Sequence, residues 1–205
     1  MAIHLQRDCP HCLTVKAPLS GGHFIQVTPG QHAYVIFMQC GVCGEGVLVK
    51  VNHPNIGPYV QGGIANPIAY VVESWPKVTE QKAPLHTPDN VKSFYLQGID
   101  SLARRNFDAA GTMFRKALDA GLRKVHPDGK GTLEKRIDSL PDELGITPAM
   151  KEWAHNIRDL GNDAAHENEP FLEQEAKDLH SFTELFLTYA FTLPGMIDAR
   201  KPKPA

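Results

Sequence analysis

The chain has 205 residues, with 21 Lys+Arg against 23 Asp+Glu, a formal net charge of −2, a pI near 6.5 and 42% hydrophobic residues. This is an ordinary soluble globular composition, long enough for one large domain or two small ones, and it excludes a protein that coats DNA through bulk positive charge. No apolar run approaches the roughly 18 residues of a spanning helix and the start MAIHLQRDCPHC carries no apolar signal core, so a cytoplasmic protein with no membrane contact is expected.

The charges divide the chain. Residues 1–76 hold three basic residues (Arg7, Lys16, Lys50) and three acidic ones (Asp8, Glu45, Glu73), and the rest of the chain holds nearly all the others. The first stretch is rich in β-branched runs between glycines and prolines: HFIQV, AYVIF, GVLVKV and AYVVE. Such runs read as strands, and the later, charged stretch reads as helices with solvated outer faces. The expected organisation is α+β: a small β domain at 1–76, a polar linker with prolines at 77–88, a helical bundle at 89–193 and a short, basic, flexible tail at 194–205.

Within the β domain the cysteines fall in two pairs, Cys9-Pro10-His11-Cys12 and Cys40-Gly41-Val42-Cys43. Each CxxC turn offers two thiolates from one tight knuckle, and two such turns supply the four soft ligands of a tetrahedral zinc ion. Gly44, after the second pair, can adopt the backbone angles the turn requires. Disulfides suit a secreted protein, a redox CxxC is normally single and set beside a βαβ unit, and buried free thiols need no paired spacing. The expectation is therefore a structural zinc site formed by Cys9, Cys12, Cys40 and Cys43, in a zinc ribbon. His11 could replace a ligand or face outward. The aromatics Phe24, Tyr34, Phe37, Tyr59, Tyr70 and Trp75 could stack bases, but three basic residues do not supply the charge, which favours a ribbon that stabilises the fold or contacts protein.

Five helices follow. The first starts with Thr87 as N-cap and Pro88 in the first turn, and carries Val91, Phe94, Tyr95, Ile99 and Leu102. The second, after Arg105-Asn106, carries Ala110, Met113, Phe114, Ala117, Leu118 and Leu122. HPDGKG is a loop, and a third helix holds Leu133, Ile137 and Leu140. The fourth begins at Thr147-Pro148 and runs through Met150, Trp153, Ile157, Leu160 and Ala164, and the last holds Phe171, Ala176, Leu179, Phe182, Leu185, Phe186 and Tyr189. Short loops between helices imply an antiparallel bundle. On the fourth helix Arg158, Asn162 and His166, spaced four apart, share one face within an arc of roughly 80°. They offer a fixed cation, an orienting amide and a proton-transfer group, a set usable in phosphate-ester chemistry. The alternative is a polar network that positions the helix.

From about Trp75 to Ala190 the chain resembles the domain of unknown function 4145 family, within the HEPN superfamily of helical domains. The segments that carry the resemblance are SWP, FRKALDAGLRKV, TLEKRIDSLPDELGI and IRDLGNDAAHE. The resemblance implies a HEPN-like bundle, for which an N-terminal zinc ribbon is a frequent companion in similar bacterial and phage proteins. Many HEPN proteins are metal-independent ribonucleases whose motif is an Arg, often followed by a polar residue, with a His a few residues on, and whose protomers pair to join two motifs. His166 matches that His and Asn162 the polar residue, but Gly161 stands where the Arg belongs and the nearest candidate is Arg158. Arg115 either reaches the same groove or pairs with Asp119 at i+4. The resulting expectation is a noncatalytic or regulatory, RNA-associated interaction module of a bacterial or phage defence-type system. Its partners would be a second copy through the helical domain and a protein at the ribbon. The alternative is a metal-independent ribonuclease using Arg158, Asn162 and His166.

Overall fold

The computed structural model describes residues 3–27, 33–52, 71–78, 80–141, 146–156 and 170–201. The fold is α+β. The chain forms two compact units, Met1–Glu80 and Gln81–Ala205, and their boundary falls inside the stretch expected as a linker.

The first unit is an antiparallel meander in the order β1-β2-β3-β4-β5: β1 Ile3–Arg7, β2 Ala17–Gln26, β3 Ala33–Cys40, β4 Gly46–Asn52 and β5 Val71–Trp75. Apolar residues at alternate positions put one row on one face. Ile3, Leu5, Leu19, Ile36, Met38, Val47, Val49 and Val51 are buried, while His4, Gln6, Phe37, Gln39 and Leu48 between them are exposed. The strand runs of the sequence reappear as β2 to β5. β1 was not expected: IHLQR has the right alternation but is too short to stand out, and becomes a strand by pairing Ile3 to Gly21 through Arg7 to Ala17.

The second unit is helical: α1 Asp89–Ala103, α2 Phe107–Val125, α3 Leu133–Asp138, α4 Pro148–Asn156, and α5 Glu173–Leu187 continuing through a π-helical turn, Thr188–Thr192, into α6 Leu193–Asp198. A three-residue connection makes α1 and α2 a helical hairpin, and Phe114 explains how closely they meet. A Cβ on Gly98 of α1 would lie 2.5 Å from its ring, so only glycine lets the ring in. Around Phe114 the core gathers Val91, Tyr95, Leu118, Leu122, Ile137, Met150, Leu179, Phe182 and Phe186. Trp153 meets Phe182 edge-on with centroids 5.5 Å apart, which ties α4 to α5. Among the described residues no helix is long and apolar enough to cross a membrane.

Two boundaries differ from the sequence reading. Thr87 does not cap α1: its hydroxyl donates to the Pro84 carbonyl at 2.7 Å, and Pro88 takes the N-cap position. The tail expected from residue 194 does not begin there, because α6 carries the helix to Asp198. Pro194 has no N–H to donate one turn back, and the chain absorbs this with the π turn immediately before it, where the Leu193 N–H reaches the Thr188 carbonyl.

Candidate metal centre

Both cysteine pairs sit in turns at the same end of the meander, one joining β1 to β2 and the other β3 to β4. Pairing of Leu19 with Cys40 sets the turns side by side, and the Gly41 N–H donates to the Pro18 carbonyl at 2.8 Å.

The two knuckles repeat one hydrogen-bond pattern. In the first, the Cys9 N–H donates to the Thr14 carbonyl at 3.0 Å and the Leu13 N–H to the Cys9 carbonyl at 3.1 Å. In the second, Cys40 and Glu45 take the places of Cys9 and Thr14, and Gly44 that of Leu13, at 2.9 Å each. The residue after the second cysteine is left-handed in both, at φ 56° for Leu13 and 78° for Gly44. Gly44 was legible because glycine marks such positions, whereas Leu13 was not, since nothing in a leucine signals positive φ.

The result is a cage of sulfur. The four Sγ atoms lie within 4.8 Å of one another, with Cys9 and Cys43 at 3.8 Å, and all four cysteines are free thiols. A tetrahedral ion with metal–sulfur bonds of about 2.3 Å separates its sulfurs by about 3.8 Å. The donor set therefore fits a thiophilic metal ion in number, chemistry and spacing, and the four cysteines could hold one.

The surroundings treat the sulfurs unequally. The Val42 N–H donates to Cys40 Sγ at 3.4 Å, and Cys12 Sγ lies 3.2 Å from Thr14 Oγ1. Burial opposes ionisation of Cys12, but the Thr14 hydroxyl and backbone and the neighbouring thiols outweigh it and bring the group down to about 7. Burial pushes Cys9 up, and it pushes Cys43 up to about 12, with the neighbouring thiols adding to the rise. Cys12 thus ionises more readily than Cys9 or Cys43, and a bound metal ion would supply the charge that favours the thiolate form. Thr14 escaped the sequence reading because a threonine two residues past a CxxC is unremarkable until its hydroxyl is seen at the sulfur.

His11 is not among the four clustered donors, and its ring turns toward the start of β4. Its Nε2 lies 3.0 Å from the Gly46 carbonyl and bridges the two knuckles. Arg158, Asn162 and His166 lie outside the described residues. The expected Arg115–Asp119 pair is not formed. The Asp119 carboxylate instead accepts from Arg123 Nε at 2.8 Å and from Arg136 Nη1 of α3, which leaves the Arg115 guanidinium to line a cleft beside α2.

A family model described as a domain of unknown function (DUF4145) matches residues 98–200. That range takes in most of the helical unit and stops short of the cysteines. No curated protein and no solved structure matches the chain.

Proposed function

This chain belongs to the DUF4145 family, and from that premise we propose a noncatalytic, regulatory interaction module. Its β unit is a zinc ribbon whose outer face receives a protein partner, and its helical unit is HEPN-like and pairs with a second copy. The observation that carries the reading is the closed donor set at Cys9, Cys12, Cys40 and Cys43. Four thiolates complete the shell of a zinc ion and leave no position for water or substrate, so the metal serves folding rather than catalysis.

The sheet supports the interaction role. On the face opposite its buried row, His23, Phe37, Leu48 and Trp75 stand in register across β2 to β5. Phe37 is 51% and Leu48 42% exposed, which leaves an apolar strip for a partner to cover. The few cations of this stretch favour protein over nucleic acid. Association with RNA, a defence-type setting and pairing of the helical units rest on the resemblance of the helix signature.

The test is incubation of the full chain with structured and single-stranded RNA, without added metal. No cleavage is expected. Cleavage that His166→Ala abolishes at an unchanged melting temperature would overturn the reading and establish a metal-independent ribonuclease built on Arg158, Asn162 and His166.

A further inference from the structure

The cysteine cluster is assembled from two knuckles that lie far apart in the sequence, and the hydrogen bonds around it are of two kinds. Some brace a knuckle within itself. Asp8, the residue before Cys9, accepts from the Lys16 N–H at 2.9 Å. Gln39, the residue before Cys40, donates from Nε2 to the Gly44 carbonyl at 2.9 Å. Others tie one half of the cluster to the other. The Gly41 N–H donates to the Pro18 carbonyl at 2.8 Å, from the second knuckle to the strand that leaves the first. His11 makes the reciprocal tie with a side chain, its Nε2 lying 3.0 Å from the carbonyl of Gly46, where β4 leaves the second knuckle.

The chemistry of that tie is fixed by its acceptor. A carbonyl oxygen only accepts, so Nε2 carries the proton and the imidazole is the donor. The acceptor is held rigidly. Gly46 pairs in register with Gln39 of β3. It also lies beneath the Phe37 ring, where a Cβ would come within 2.7 Å of the ring. The donor is held as well, since His11 sits between Pro10 and Cys12 inside the first turn and is half-buried. The matching position of the second knuckle is Val42, 56% exposed, whose apolar side chain cannot form such a bond. The two knuckles repeat one backbone pattern, and at this position they differ in side-chain chemistry.

We infer that His11 is a positioning residue that governs how long the four-cysteine site retains its metal ion. The inference rests on the zinc reading of Cys9, Cys12, Cys40 and Cys43. Each knuckle contributes its two sulfurs as a unit, so the ion is released when the knuckles part. Parting them breaks the bond from His11 to the Gly46 carbonyl, and that bond keeps the second pair of sulfurs against the first. Removing a group that orients metal ligands changes metal affinity by about 10–100-fold.

The experiment follows transfer of zinc from the loaded full chain to an excess of a chromogenic chelator, alongside the absorption spectrum of the cobalt(II)-substituted chain. His11→Ala should release zinc at least about tenfold faster than wild type. His11→Phe, which fills the space of the ring without the donor, should do the same. His11→Gln, whose Nε2 can reach the same carbonyl, should restore most of the retention, and Val42→Ala should leave it unchanged. Val49→Ala, in the core of the sheet, should lower the melting temperature yet release zinc more slowly than His11→Ala. The cobalt spectrum should keep a tetrahedral four-sulfur signature in every variant. The inference is overturned if His11→Ala and His11→Phe retain zinc as long as wild type, or if His11→Gln restores nothing. It is overturned equally if Val49→Ala matches the release rate of His11→Ala, which would reduce His11 to general stability, or if the wild-type cobalt spectrum shows a nitrogen ligand. Wild-type chain that takes up neither zinc nor cobalt would instead remove the zinc reading, and this inference with it.

Discussion

At the scale of single residues, the four-cysteine cluster depends on one backbone conformation used twice. Leu13 and Gly44 occupy equivalent left-handed positions, and their N–H groups close the two cysteine turns. The Cβ of an alanine at 44 would meet only Gln39 Nε2, at 4.0 Å, so space is not the obstacle. The cost of Gly44→Ala is conformational and should lower the stability of the β unit by about 1–2 kcal/mol, read from chemical denaturation with metal bound. Leu13 already bears that cost, so Leu13→Gly should not destabilise and Gly44→Ala should; equal losses at both sites would contradict the equivalence. The clustering of the four cysteines and the role of Gly44 were legible because spacing and glycine are signals in themselves. The roles of Leu13, Thr14 and His11 were hidden, because each depends on an atom brought near by the fold: a carbonyl four residues back, a sulfur, and the Gly46 carbonyl of the other knuckle.

At the scale of elements, α2 organises the helical unit and two histidines report on its neighbours. His155 of α4 lies between Glu134 and Asp138 of α3, with Nε2 3.0 Å from Asp138 Oδ1, and its bond to Glu134 is chief among the causes that raise its pKa above the ordinary value. A raised folded pKa gives stability that is present in full below the unfolded value, near 6.5, and is lost as pH rises through the folded value. His180 of α5 behaves oppositely. Packed on Phe114 and 3.1 Å from the Tyr95 hydroxyl, it is pushed down by burial, and its contribution is lost as pH falls through the depressed value. The melting temperature of the helical unit should therefore decline on both sides of a maximum near neutrality. His155→Gln should flatten the alkaline limb alone, and an unchanged alkaline limb would show that the α3–α4 clamp carries no weight. The helices were legible because residues such as Phe114, Leu118 and Leu122 repeat with helical period, and these three are buried. Helix ends were less so: Thr87 and Pro88 form a fair capping signal, but the nearby Pro84 carbonyl takes the hydroxyl first.

At the scale of the molecule, a β unit and a helical unit of different class share one chain, and the family match covers the helical one. The split was legible from the uneven distribution of charge. The apolar strip of Phe37 and Leu48 was not, because it exists only once strand register aligns residues from separate runs. If the helical units pair as proposed, light scattering at high micromolar concentration should give twice the chain mass of 22.6 kDa, and a monomer there would remove that part of the proposal. The two units should also fail separately. A structural zinc ion contributes on the order of 10 kcal/mol to folding, so Cys40→Ser should unfold the β unit and leave the helical circular-dichroism signal in place. The central claim, that four thiolates hold a structural zinc ion, is tested most directly by elemental analysis of chain purified without chelator. The account predicts one zinc per chain in the wild type and its loss in Cys40→Ser; wild-type protein without zinc, or with the four cysteines oxidised to two disulfides, would contradict it.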